Sequence, residues 1–122
     1  MDVTGFWRAV LDQDAAAIRR YFAPDAQVRW PCTGERFTVE EFLRANCEYP
    51  GDWDGAVERT ERLGDLWITV TRVWSRDRTL RFHVTSFLRT AGGRITELEE
   101  FWAEDGAAPQ WRRDMGIGTA RS

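Results

Sequence analysis

The chain has 122 residues, the size of one domain, with 43% hydrophobic and 30% charged positions, too apolar for disorder and long enough to build a core without metal or disulfide staples. Its 17 basic and 20 acidic residues leave a net charge of −3, which argues against nucleic-acid binding, where a basic face is needed. One histidine and two widely spaced cysteines, Cys32 and Cys47, fall short of a structural zinc set, and neither a secretory leader nor an apolar run of roughly 18 residues is present, so a cytoplasmic protein with reduced thiols is expected.

Val3, Phe6, Trp7, Val10 and Leu11 recur at helical spacing and predict an amphipathic first helix. Asp14 can cap a second helix through Ala15–Arg19 that ends before Pro24. Gln27–Trp30 reads as a short strand stopped by Pro31, and Asp25 as a turn residue bonding its local backbone. Thr38 and Glu41 have capping-box spacing ahead of Phe42 and Leu43, which predicts a third helix ending at Pro50-Gly51. From Val57 the period becomes strand-like. Residues 57–63, 65–75, 80–90 and 93–103 form four strand-length runs with short linkers, an antiparallel meander. Residues 106–122 read as an irregular tail, in which Arg112 and Arg113 are solvated or meet a partner. The whole is one α+β domain, helices first and a curled sheet after them.

Apolar residues fall on both faces of that sheet. Phe82, Val84 and Leu88 share one face of their strand, and Phe87 lies on the other with His83 and Thr85. Ile95 and Phe101 alternate against Leu98 and Trp102. Helices cover one face, and a second copy of the chain is the economical cover for the other, so a homodimer is expected through a convex face carrying Phe82, Val84 and Phe101. Seven tryptophans, each wanting an apolar bed and a partner for its N–H, suggest a pocket or interface rich in aromatics.

The order of these elements resembles the nuclear transport factor 2-like superfamily, and within it the SnoaL-like small proteins. The segments that carry the likeness are YFAPDAQVRW at 21–30, FTVEEFL at 37–43 and GGRITELEEFWAED at 92–105. The resemblance spans about residues 3–105 and implies a cone-shaped, cystatin-like fold, three N-terminal helices packed in a curved antiparallel sheet around an apolar pocket. Relatives include isomerases, cyclases, dehydratases, epoxide hydrolases and non-catalytic proteins, so function rests on the site. The polar set of ketosteroid isomerases is missing, because Phe6, Trp30 and Thr85 stand where a tyrosine and two aspartates would. The limonene epoxide hydrolase set is also incomplete. Arg72-Val73-Trp74 keeps the arginine of an Arg-x-Asp pair but puts tryptophan in place of its aspartate, and Glu100 stands for the later aspartate.

A two-residue turn at Ala91-Gly92 pairs His83 with Glu100, Arg81 with Trp102 and Thr85 with Leu98. The resemblance turns this face toward the cone interior, with Arg72 beyond His83. A row of Arg72, His83 and Glu100 follows, in which the imidazole acts as acid or base, or the row anchors a ligand, or it satisfies itself in a core. Trp30, Trp74 and Trp102, with Thr85 and Arg81, would contact an apolar or aromatic organic ligand. Cys47, at the end of the third helix near the cone mouth, reads as an inert thiol. Glu97 and Glu99 have the opposite parity to Glu100 and should face outward. The expectation is a cofactor-independent isomerase, cyclase, dehydratase or hydrolase with a His83–Glu100 pair, or a non-catalytic ligand-binding or scaffold protein, with no metal, nucleic acid or membrane as partner.

Overall fold

The structure, a computed structural model, describes residues 1–119. Helix α1, Val3–Leu11, starts where the Asp2 carboxylate accepts from the Gly5 N–H at 2.8 Å and buries Phe6, Trp7 and Val10. Helix α2, Ala15–Arg19, is capped by Asp14, which accepts from the Ala17 N–H. Strand β1, Phe22–Trp30, begins earlier than its apolar run suggested. Pro24 and Asp25 lie in an irregular part of the strand where the register with its neighbour shifts, which is where a sheet tolerates a proline. Strand β2, Glu35–Thr38, pairs back onto β1. It is mostly exposed and polar, so it carries no burial pattern a sequence reading could detect. Helix α3, Val39–Cys47, opens on the capping box expected of Thr38 and Glu41.

Strands β3 (Trp53–Leu63), β4 (Leu66–Ser75), β5 (Arg81–Ala91) and β6 (Arg94–Glu104) complete a curved, unclosed sheet in the order β2-β1-β6-β5-β4-β3. The four-strand meander is antiparallel as expected, but the sheet is mixed, because β1 runs parallel to β6. A short helix α4, Gln110–Asp114, interrupts the tail expected to be irregular, and it buries none of its residues. Among the described residues no helix is long and apolar enough to cross a membrane.

The hairpin between β5 and β6 differs from the sequence reading in two ways, and only one changes the site. The turn residues are Gly92 and Gly93, both at positive φ (59° and 78°), one position later than expected. That change alone would keep every side chain on its expected face. The second difference is an extra residue. Arg89 pairs with Glu97 and Thr90 with Ile95, so Thr96 is bulged out, its hydroxyl donating to the Arg89 carbonyl at 3.3 Å. One inserted residue reverses the alternation beyond it. Glu100 therefore faces Ser86, and His83 faces Ala103. Ile95, Leu98, Glu100 and Trp102 point inward together, where strict alternation had put Ile95 on the face opposite Leu98 and Trp102.

The expected outer face changes with it. Val84 is fully buried and Phe82 packs against the core, so neither lies on the convex side. Phe101 does, edge-to-face with Phe87 at 6.0 Å. Glu97 and Glu99 face outward as expected and meet Arg89 and Arg29.

Side chains directly opposite on one face sit about 4.5–5.5 Å apart at Cβ, within reach of a disulfide. With both native cysteines changed to serine, His83→Cys with Ala103→Cys should cross-link on mild oxidation, and His83→Cys with Glu100→Cys should not. Peptide mass mapping reads the outcome.

Candidate functional site

A cavity of about 300 Å³ opens between the helices and the inner face of the sheet. Helix α1 contributes Trp7, Val10 and Leu11 to its wall, the end of β1 contributes Trp30, and β3 to β6 contribute Trp53, Val73, Phe82, Glu100 and Trp102. Cys32, Thr33 and Tyr49 also line it. The turn after α1 is tied to the end of α3 by Gln13, whose side-chain amide donates to the carbonyls of Asn46 (2.9 Å) and Tyr49 (2.8 Å). The Asn46 amide returns the link to the Val10 carbonyl at 3.0 Å. These bonds hold one rim of the cavity in place.

Glu100 is the one carboxylate lining this cavity among the described residues, and its relative exposure is 3%. Oε1 accepts from the Trp30 indole N–H at 3.2 Å, and Oε2 accepts from the Ser86 hydroxyl at 2.9 Å. Burial in an apolar surround disfavours the charged form and pushes the carboxyl up to about 7, against the opposing pull of the donors Ser86 and Trp30 and of the nearby Trp102 indole. A carboxyl at that position is half-ionised near neutral pH, the condition under which it can both take and return a proton.

Four indoles line the cavity, and their N–H groups have different fates. Trp7 donates to the Thr69 hydroxyl at 3.4 Å, Trp30 to Glu100, and Trp53 to the Pro50 carbonyl at 3.2 Å. The Trp102 N–H is buried, and it meets hydrogen-bond geometry with no partner among the described residues. It lies close enough to Glu100 to favour the carboxylate, but without the alignment of a bond.

Of the residues expected at the site, the structure brings Glu100, Trp30 and Trp102 together and leaves the others outside. His83 is on the outer face, its Nδ1 2.5 Å from Asp105 and its Nε2 3.2 Å from Glu58. Arg72 does lie beside His83, as expected, but on that same outer face, where it pairs with Glu58 at 3.2 Å. Trp74 lies on the outer face, with the guanidinium groups of Arg72 and Arg78 at 5.5 and 5.4 Å from its ring centre. Arg81 is exposed opposite Trp74, and Thr85 pairs with Phe101. The His83–Glu100 pair is therefore corrected: the Thr96 bulge separates the two residues onto opposite faces. By the same parity, the inward position beside Thr85 is Ser86, and the inward residues flanking Arg72 are Thr71 and Val73.

Sequence reasoning missed Trp7, Trp53, Phe82 and Ser86. Trp7 was assigned to a helix's apolar face, and nothing local says that this face also lines a void. Ser86 was missed because its parity depends on the same bulge. The pairing of Ile95 with Leu98, two apolar residues at odd spacing in a strand, was the available signal.

The SnoaL-like domain family matches residues 3–98. The chain belongs to this family. No curated protein matches the sequence. Among solved structures, the chain is similar to a candidate ketosteroid isomerase from Kribbella flavida, with 24% identity, a TM-score of 0.80, and coverage of 97% of this chain and 86% of that one. It is also similar to a nuclear transport factor 2-like protein of unknown function from Burkholderia xenovorans, with 21% identity, a TM-score of 0.76, and coverage of 95% and 91%. A third is IdmH, a candidate polyketide cyclase from Streptomyces antibioticus, with 19% identity, a TM-score of 0.69, and coverage of 80% and 86%. These likenesses establish the nuclear transport factor 2-like fold.

The raised pKa of Glu100 has a sign that can be checked. The folded protein holds this proton more tightly than the unfolded chain, whose value is the ordinary 4.5. The stabilisation that comes with protonated Glu100 is therefore full below about pH 4.5 and is lost as pH rises through about 7. At about 1.4 kcal/mol per pH unit, ionised Glu100 costs on the order of 3 kcal/mol. Glu100→Gln does not titrate, so its stability relative to wild type should improve by roughly that amount between about pH 4 and about pH 8.5. Urea unfolding at both pH values measures the difference, and a difference that does not change with pH would contradict a buried, titrating Glu100.

Proposed function

We propose that this chain is a cofactor-independent proton-transfer catalyst of the isomerase or cyclase type, acting on a small apolar or aromatic organic substrate with Glu100 as the acid–base group. The observation that carries this reading is the buried carboxyl of Glu100, held by Trp30 and Ser86 at the wall of an aromatic cavity, where desolvation pushes its pKa up to about 7. Ionised Glu100 takes a proton from a substrate C–H made acidic by a neighbouring electron-withdrawing group. The C–H bond breaks, an O–H bond forms on the carboxyl, and the electron pair passes into the substrate. Return of the proton to a different atom completes an isomerisation. For a cyclisation, the carbanion attacks a carbonyl within the same molecule, a C–C bond forms, the carbonyl π pair passes to its oxygen, and Glu100 returns the proton to that oxygen. Similarity to a candidate isomerase and a candidate polyketide cyclase supports the class. A cavity of about 300 Å³ lies at the small end of ligand pockets and suits a substrate of one or two fused rings. The second reading, a ligand-binding protein, is favoured by one feature: among the described residues the cavity wall offers no second carboxylate to act opposite Glu100.

2-Tetralone is a two-ring ketone with acidic protons at C1, and it tests the first reading without knowledge of the natural substrate. Wild-type protein in D₂O should accelerate loss of the C1 proton signal in NMR, with a rate rising through an inflection near pH 7. Glu100→Gln should lower the accelerated rate by at least about 100-fold, the usual worth of a general base. Acceleration that survives in Glu100→Gln would remove Glu100 from the role. Binding without acceleration in wild type would favour the second reading.

We also propose that the chain works as a homodimer through the outer face of the sheet. On the corrected register this face centres on the Phe87–Phe101 pair, with Phe101 38% exposed and Ile68, Val70 and Thr85 beside it. Opposite charges around it, Arg29 with Glu99 and Arg72 with Glu58, give a rim that a second copy can meet with complementary sign. Sedimentation at micromolar concentration should give a dimer for wild type and a monomer for Phe101→Asp. A monomeric wild type would overturn this assignment.

A further inference from the structure

The rim of the cavity carries two side-chain amides whose donors are spent and whose acceptors are not. Gln13 lies between α1 and α2 at φ 54°, a left-handed conformation that glycine adopts without strain and larger residues rarely do. Its amide nitrogen donates to the carbonyls of Asn46 and Tyr49, at 2.9 and 2.8 Å, and the Asn46 amide nitrogen donates to the Val10 carbonyl at 3.0 Å. Turning either amide over would set its oxygen against a carbonyl, so these partners fix both orientations. Gln13 Oε1 and Asn46 Oδ1 are left without a donor among the described residues. The buried side-chain atoms without a partner there are Thr71 Oγ1 and Trp102 Nε1, so the two amide oxygens stay open to solvent. Both residues are half-buried and line the cavity. Among the described residues no arginine lines it, so an anionic ligand would find no counter-charge.

We infer that Gln13 and Asn46 determine ligand specificity: their amide oxygens accept hydrogen bonds from a hydroxyl or N–H group carried by a neutral, otherwise apolar ring compound. This rests on the reading of the cavity as a ligand site, and not on proton transfer by Glu100. An amide oxygen can only accept, so it selects a donor. An ether of the same shape offers another acceptor instead, and would take water from the amide oxygens and return nothing. The reciprocal bonds between the α1–α2 turn and the end of α3 hold both amides before a ligand arrives, so little side-chain freedom is lost on binding. With its donor held at the rim, the ligand lays its apolar body among Trp7, Trp53 and Phe82 and turns its other end toward the buried wall that carries Glu100. The pair thus sets which end of the ring enters first.

2-Naphthol and 2-methoxynaphthalene, which share their rings and differ in the donor, test the inference. Asn46 is the only asparagine of the chain and Gln13 one of three glutamines, so carbon-13 labelling of the side-chain amides gives few signals to assign. At about pH 6, where the naphthol is neutral, it should move the Asn46 Cγ and Gln13 Cδ resonances of wild type downfield, beyond any change that the ether produces. Wild type should bind 2-naphthol about tenfold more tightly than the ether, the worth of one hydrogen bond. Gln13→Gly suits the left-handed turn, and together with Asn46→Ala it should bring that ratio to about one, while naphthalene, which has no polar group, still binds. Should the double variant fail to fold, the wild-type resonances decide alone. Amide resonances that respond alike to both ligands would overturn the inference. So would a preference for 2-naphthol that persists in the double variant, because the hydroxyl would then be held elsewhere. The proton-transfer reading fails separately. Amide shifts with 2-naphthol but no exchange of 2-tetralone in wild type would remove Glu100 as base and retain the two acceptors. Exchange of 2-tetralone without amide shifts would retain the base and remove the acceptors.

Discussion

One inserted residue decides which chemistry faces the cavity. Continued without interruption from the Gly92-Gly93 turn, the β5–β6 ladder would set Glu100 opposite Thr85, on the outer side. The Thr96 bulge moves it by one position, opposite Ser86 and next to Trp30. A bulge leaves one residue unpaired and bends the strand, but here the unpaired residue is a threonine whose hydroxyl donates to a carbonyl of the facing strand. In exchange, Ile95 and Leu98 are both fully buried, which strict alternation would forbid. Burial of the second large aliphatic side chain is worth roughly 1.5–3 kcal/mol. Packing and site geometry therefore ask for the same irregularity.

Glu100 carries a cost that the fold does not require. Its ionised form sits in an environment of indoles and aliphatic groups that raises its pKa to about 7. An apolar residue of similar volume would pack there without that penalty. Groups that break the rule for a stable core while holding a perturbed pKa in a cavity are the ones that carry function. The surrounding tryptophans serve two purposes. Their rings supply an apolar wall, and their N–H groups supply a few aimed donors, so polarity enters the cavity at chosen points only.

His83 shows the opposite case. It is the only histidine of the chain, and it sits with Glu58, Asp105 and Arg72 in a half-exposed group on the outer face. Those contacts link β3, β5 and the end of β6 across the sheet. The resemblance placed Arg72 beside His83, and the β4–β5 ladder, free of irregularity between those two positions, keeps them paired. Glu100 was legible as a candidate, but its partner was not.

The sequence by itself determined the first three helices, the caps of the second and third, and the location of the β-rich half, because those features rest on local spacing. Asp14 lies three residues before the N–H it caps, and Thr38 with Glu41 closes a box within one turn. It also determined the family, since the order of elements survives changes in individual residues. What only the tertiary structure decided is which side of each strand holds the chemistry, and that β1 runs alongside β6. Alternation has a period of two, so a single bulge exchanges the inner and outer sets. The bulge is favoured by contacts of Ile95, Leu98 and Glu100 with residues far away in the chain, and no local pattern encodes those contacts.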